Sequence, residues 1–236
     1  MNEGAIELPI RKGTILRWHI GIVTAIHVGN IVALWLRYVA VDFRGRVRDT
    51  IVSFLSVSAE GKLGTFFSGV ALLACALLLG IIAYAKSRER ERHRALWTLL
   101  SLIFLYIAFD EMIQVHEVFG PPLGTALGAK GLLRGWAVPG MIAIVLVGLA
   151  YLRFLIDLPR RSRLLFVVAG AVYVFGALGM ELVGNWYTTD RPLDLTYGII
   201  ATIEEIFEMG GIVVFVYALL DHLERTLSQG VHVSFR

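Results

Sequence analysis

Residues 64–85, GTFFSGVALLACALLLGIIAYA, form a run of apolar and small residues that contains no charged side chain. A helix rises about 1.5 Å per residue, so this run is long enough to cross the roughly 30 Å of hydrocarbon in a bilayer. Lys62 and Lys86 lie just outside it. The run therefore predicts a membrane-spanning helix.

Composition extends this prediction to the whole chain. Its 236 residues are 57% hydrophobic and 17% charged, with a mean hydropathy of +0.71, whereas soluble domains carry about 25% charged residues. Five further stretches have the required length: about 15–37, 96–117, 136–156, 164–186 and 197–220. We expect an all-α fold: a polytopic transmembrane bundle of about six helices that forms one integral membrane domain over residues 1–236.

The distribution of basic residues predicts the orientation. With six spans both termini lie on one side, and 14 of the 22 Lys and Arg residues fall on that side. Cytoplasmic loops are enriched in Lys and Arg, so we expect a plasma (inner) membrane protein with cytoplasmic termini. Four of the other eight lie in or beside the loop after the first span: Arg37, Arg44, Arg46 and Arg48. Within that loop, the apolar spacing over 50–58 predicts a short interfacial helix on the outer surface.

Acidic residues inside three predicted spans are the most informative feature for function. The third span ends with Asp110, Glu111 and Glu117, the fifth contains Glu181, and the sixth contains Glu204, Glu205 and Glu208. The predicted orientation places all seven within about 15 Å of the outer surface. The helical period also places Asp110, Gln114 and Glu117 on one face of the third helix. The first helix brings His27 and Asn30 into the same layer.

These acids cannot all face lipid as bare anions. A charge at the centre of a membrane helix costs about 2.5 to 3.5 kcal/mol on insertion scales. The candidate countercharges in the layer, His27, His116 and Arg37, are too few to neutralise seven carboxylates. Bound cations, shared protons, a water-filled cavity or a mixture of these must balance the charge.

Carboxylates with one or two imidazoles form an oxygen-rich ligand set, which suits a divalent metal of the Fe, Mn or Zn class. The predicted ligands are Asp110, Glu111, His116, Glu181, Glu204 and Glu208, with His27, Asn30, Gln114, Glu117 and Glu205 in support. A metal-binding membrane oxidoreductase or hydrolase is the favoured interpretation. The alternatives are a proton- or cation-coupled carrier or channel, and an accessory subunit of a larger membrane complex.

Other membrane chemistries and partners are excluded by what the sequence lacks. No lysine lies inside a predicted span, which excludes a retinal Schiff base, and Cys75 is the one cysteine, which excludes clustered-cysteine zinc motifs. Neither a P-loop nor a dinucleotide fingerprint occurs. The expected partners are membrane lipids and no nucleic acid, with a homo-oligomer or a larger complex left open.

Two motifs carry a family resemblance. Asp110-Glu111-x4-His116-Glu117 and Glu204-Glu205-x2-Glu208-Met209 are similar to motifs of a group of uncharacterised bacterial polytopic membrane proteins. The resemblance covers the third to sixth spans. It implies a six-helix bundle with an acidic core and carries no activity with it.

Overall fold

The computed structural model describes residues 11–40, 45–57 and 63–227, and it is helical throughout, with no strand in these ranges. Arg44 and residue 58, the last residue of the short helix predicted over 50–58, lie outside the described residues. The helices, in chain order, are α1 (Lys12–Tyr38), α2 (Arg46–Leu55), α3 (Leu63–Arg88), α4 (Arg94–Ile113), α5 (Val115–Ala126), α6 (Ala137–Asp157), α7 (Arg160–Val174), α8 (Glu181–Tyr187) and α9 (Leu195–Leu227).

Five helical segments are long and apolar enough to cross a membrane: α1, α3, α4, α6 and the continuous stretch Arg160–Tyr187. Each coincides with a predicted span. The sixth predicted span falls within α9, a 33-residue helix that also carries the acidic triplet. Asp194 fixes the start of α9, because its carboxylate accepts a hydrogen bond from the backbone N–H of Tyr197 at 3.0 Å.

The main apolar core lies between α3, α4, α6, α7 and α9. Leu79, Trp97, Phe154 and Leu219 are almost fully buried there. Trp97 and Phe154 meet edge to face, with ring centroids 4.8 Å apart. This core fills the half of the bundle away from the acidic residues.

The prediction that the third span continues to residue 117 is wrong. Helix α4 ends at Ile113, since Gln114 adopts a left-handed conformation with φ 60° and ψ 44°. Helix α5 then starts in a new direction at Val115. The predicted common face of Asp110, Gln114 and Glu117 therefore does not exist, because Glu117 belongs to a different helix.

Helix α2 confirms the short helix in the first loop, although it spans Arg46–Leu55 rather than 50–58. It runs back along the C-terminal half of α1. Arg48 near its start donates to the backbone oxygen of Arg37, and Val57 just beyond its end donates to Asn30. The chain from Arg46 to Val57 is thus antiparallel to α1.

The fifth predicted span contains a π-helical segment, Phe175–Met180, between α7 and α8. Such segments widen a helix locally and are frequent at functional sites. Gly176 in this segment touches α9: a β-carbon placed on it would lie 2.9 Å from the backbone oxygen of Glu204 and from the backbone nitrogen of Glu208. The π segment therefore holds α7 directly against the acidic part of α9.

Candidate functional site

The best-defined part of the acidic layer is a chain of three side chains at the α4–α5 junction. The Asp110 carboxylate accepts a hydrogen bond from the backbone N–H of His116 at 2.8 Å, and its second oxygen lies 2.9 Å from His116 Nδ1. The other ring nitrogen, Nε2, lies 3.4 Å from a Glu117 carboxylate oxygen. Exposure increases along the chain: the side chains of Asp110, His116 and Glu117 are 17%, 27% and 45% exposed.

The local sequence explains this arrangement. Because Gln114 is left-handed, the chain turns sharply and the first N–H groups of α5 point toward Asp110. A carboxylate at the start of a helix is stabilised by those N–H groups and by the helix dipole. Trp136 packs against the imidazole of His116, with ring centroids 5.5 Å apart, and covers one face of it.

His116 is held in its charged form. Burial lowers its pKa, but the hydrogen bonds to Asp110 and Glu117 outweigh burial and raise the pKa to about 10. The pKa of Glu117 is lowered by the same hydrogen bond from His116, against the effect of partial burial. The single positive charge of His116 therefore interacts with the carboxylates of both Asp110 and Glu117.

The raised pKa of His116 predicts how the stability of the fold depends on pH. The charged His116 stabilises the fold fully below the unfolded pKa of about 6.5, and that contribution is lost as the pH rises through about 10. We expect the melting temperature of the detergent-purified protein to fall between pH 7 and pH 10, and the His116→Gln variant to lose much of this slope. Equal slopes in the two proteins would contradict the charged His116.

Glu181, at the start of α8, forms the second part of the layer. Asn185 donates to its carboxylate at 3.2 Å, and Arg134 donates to the side-chain oxygen of Asn185 at 2.9 Å. Arg134 also donates to Thr188. Sequence reasoning missed Arg134 because it lies between two predicted spans, where an arginine is ordinary.

Glu208 lies within electrostatic range of acids on three helices. Its carboxyl group interacts with those of Glu205 and Glu204 on α9, Glu111 on α4 and Glu181 on α8. Tyr173 on α7 interacts with four of the acids: Glu208, Glu111, Asp110 and Glu205. Acids from the third, fifth and sixth predicted spans are thus electrostatic neighbours, and all of the seven except Glu117 are half-buried.

His27 and Asn30 belong to α1, which packs against α9. Asn30 is fully buried and donates to the Thr202 hydroxyl at 2.8 Å. Leu34, one turn further along α1, contacts Gly198. This antiparallel register places His27 level with Glu205. His27 Nδ1 lies 2.8 Å from the Val23 carbonyl of its own helix, so this ring nitrogen bonds within α1.

Arg37 also does not reach the acids. Its guanidinium lies over the ring of Tyr38, 5.3 Å from the centroid. Of the three predicted countercharges, His116 alone is hydrogen-bonded to an acid of the layer. Two of the three predicted countercharges, His27 and Arg37, therefore form no hydrogen bond with an acid of the layer. Arg134, which was not predicted, is linked to Glu181 through Asn185.

The structure does not support the predicted metal centre. Within the part of the chain that the structure describes, which includes every predicted ligand, no three His, Cys, Asp or Glu residues are grouped so that they could hold a metal ion. Both ring nitrogens of His116 already contact carboxylates, those of Asp110 and Glu117. No step involving a metal can be derived from these residues.

A second ionic cluster, absent from the sequence predictions, lies at the other end of the bundle. The Asp221 carboxylate is 1% exposed and contacts Lys12 at 2.6 Å, Arg161 at 3.0 Å and Arg225 at 2.9 Å. Burial raises the pKa of Asp221, but these cations outweigh it and lower the pKa below its usual value. The cluster ties α1, α7 and α9 together.

An all-helical chain with five helices able to cross a membrane, acids drawn into its interior and an ionic cluster at the opposite end, has the features of a polytopic membrane protein. The chain belongs to the family described as "Domain of unknown function (DUF8692)", which matches residues 20–223. No curated protein and no solved structure matches it.

Proposed function

We propose that this protein is a six-span carrier that couples protons to a cation, with its acidic layer near the outer leaflet of the plasma membrane. The sixth span is α9, and both termini are cytoplasmic. Support comes from the 14 to 8 division of basic residues. Maleimide labelling from outside the cell of a cysteine introduced at Thr125 tests this orientation, since Cys75 is buried; protection of that position would reject it.

The observation that carries the proposal is the chain Glu117–His116–Asp110. An exposed carboxylate, an imidazole bonded on both sides and a less exposed carboxylate lie in sequence, and each can accept or donate a proton. Charged His116 gives its Nδ1 proton to Asp110; the neutral ring then rotates, and Glu117, protonated from outer water, restores the proton on the free nitrogen. The proton on Asp110 then equilibrates with Glu111 and Glu208, which like Asp110 interact electrostatically with Tyr173.

His116 is hydrogen-bonded to two acids of the layer, and protons and a transported cation share the carboxyl groups that interact with Glu208. Glu111, Glu204, Glu205 and Glu208 are half-buried, and like charges in a low-dielectric interior favour proton uptake. A transported cation replaces those protons at the carboxyl oxygens. Binding of one therefore releases the other, and this exchange is the basis of coupling.

A membrane enzyme acting from the outer side is the second candidate. The observation that favours it is the apolar core around Leu79, Phe154 and Leu219, which closes the opposite half of the bundle. A carrier must open that half during its cycle, whereas an enzyme keeps it closed.

Proteoliposomes that are acidic inside distinguish the two candidates. Addition of Na⁺, K⁺, Mg²⁺, Ca²⁺ or Mn²⁺ outside is followed with a pH-sensitive dye inside. We expect at least one cation to drive proton efflux through the wild type and through Glu89→Gln, a change in a loop outside the layer. Glu208→Gln should abolish the efflux because it removes the shared site. Absence of efflux with every cation, in folded wild type, would reject the carrier in favour of the enzyme.

A further inference from the structure

A group of arginines on the predicted outer side has no role in the acidic layer. Arg37, Arg46 and Arg48 lie at the outer end of α1 and the start of α2. This concentration is unusual on the side that the positive-inside bias leaves poor in Lys and Arg. None of the three forms an ion pair with a carboxylate within the described ranges.

The arginines are held by contacts that leave their charge available. Arg48 Nη2 donates to the backbone oxygen of Arg37 at 3.3 Å, whereas its Nε is buried and has no hydrogen-bond partner among the described residues. Arg46 is exposed. A buried N–H donor without an acceptor is costly, so this end of α2 is suited to an anion.

An apolar groove of about 410 Å³ lies below these arginines, between α1 and α3 and beneath the last residue of α2. Its lining includes Ile22, Ala25 and Ile26 of α1, Leu55 of α2, and Phe66 and Val70 of α3. All eight lining residues are apolar. Such a groove accepts a hydrocarbon chain and offers nothing to a polar ligand.

The spacing between the two features matches one molecule. Along α1, Ile26 and Ile22 lie about 16 to 22 Å inward from Arg37. One leaflet together with its headgroup layer is about 20 to 22 Å thick, half of the roughly 40 to 45 Å of a bilayer. A lipid whose phosphate contacts the arginines therefore brings the end of an acyl chain to the groove, and α2 runs alongside it.

We propose that this face binds an anionic phospholipid of the outer leaflet, with its phosphate on Arg46 and Arg48 and one acyl chain in the α1–α3 groove. A negative headgroup complements these arginines, which form no ion pair among the described residues, and guanidinium groups bind phosphate well. A zwitterionic lipid has a cationic group that these arginines repel. None of its residues belongs to the acidic layer, so the site does not depend on proton coupling, but its assignment to the outer leaflet rests on the proposed orientation.

Native mass spectrometry of the full chain in detergent tests this site, with phosphatidylglycerol and phosphatidylcholine of equal chain length as probes. We expect wild type to retain one phosphatidylglycerol in preference to phosphatidylcholine. The double variant Arg46→Gln/Arg48→Gln should lower that retention about tenfold. Ala25→Phe, which fills the groove from an exposed position, should lower retention of the same adduct.

Two controls match these changes in charge and in size. Arg160→Gln removes an exposed arginine at the other end of the bundle, and Val145→Phe adds the same ring to an exposed position on α6. Both should keep the adduct. The site would be rejected if wild type shows no preference for phosphatidylglycerol, or if the controls lose the adduct equally. An adduct that depends on the arginines but survives Ala25→Phe would reduce it to a surface charge effect and overturn the groove.

Discussion

Asp221→Asn should be the most destabilising single change of a polar group in this chain. The carboxylate is almost fully buried and is shared by Lys12, Arg161 and Arg225. The amide keeps the shape but leaves three cations around a neutral group. Removing one partner of a buried ion pair costs about 3 to 5 kcal/mol. Because the cations are partly in water, we expect about 3 kcal/mol, measured as the free energy of unfolding in mixed micelles titrated with denaturing detergent.

Glu224→Gln provides the matched control. Glu224 contacts the same Lys12 at 2.6 Å, but its side chain is 62% exposed. Exposed ion pairs contribute about 0 to 1 kcal/mol, so this variant should remain close to wild type. If Asp221→Asn and Glu224→Gln lost equal stability, the cluster would not tie α1, α7 and α9 together.

Gly176→Ala should separate α7 from α9 at the acidic layer. The added β-carbon would lie 2.8 Å from the Glu208 side chain and 2.9 Å from two backbone atoms of α9. Backbone cannot move aside as a flexible side chain can, and overpacking of this kind costs about 1 to 3 kcal/mol. We expect a lower melting temperature together with reduced cation-driven proton efflux, because Glu208 is displaced.

Gly170→Ala tests whether the effect depends on this contact. Nothing lies within 4 Å of a β-carbon at Gly170, which is on the same helical segment. Replacing a helical glycine by alanine without a clash is stabilising by about 0.4 to 1 kcal/mol. Equal destabilisation by both changes would attribute the loss to the helix alone and not to its contact with α9.

The sequence located the helices well because apolar length is a property of each segment alone. The run 64–85 and the helix α3 differ by few residues, and the same holds for the spans at 15–37 and 136–156. A bilayer forces every backbone group in a span into helical hydrogen bonds. Hydropathy therefore determines these elements without knowledge of their neighbours.

Features that depend on one hydrogen bond or one close contact were not predictable in this way. The end of α4 at Gln114 depends on a left-handed residue and on Asp110 capping the next helix. Glutamine has no special preference for that conformation, so hydropathy continued the span to residue 117. The π segment likewise depends on Gly176 meeting α9, which is 28 or more residues away in the chain.

The candidate site was predicted in part. Buried acids are visible in the sequence because they interrupt apolar runs, and Asp110 and Glu208 were found in this way, with His116 close to Asp110 in the chain. Arg134, which donates to Asn185, and Tyr173 were not found, since they are ordinary residues for a loop and a span. The grouping of ligands that a metal requires depends on distances between helices, which the sequence does not contain.

If protons balance the negative charge of the acidic layer, some of its carboxyl groups are protonated at neutral pH, and infrared spectroscopy detects them directly. Protonated and ionised carboxyls absorb at different frequencies. At neutral pH we expect wild type in lipid to show a protonated-carboxyl band, weaker in Glu208→Gln and unchanged in Glu224→Gln. Absence of that band in wild type, or a band of equal strength in Glu208→Gln, would contradict the claim. Stoichiometric metal in gently purified protein without the band would return the layer to the metal-binding interpretation.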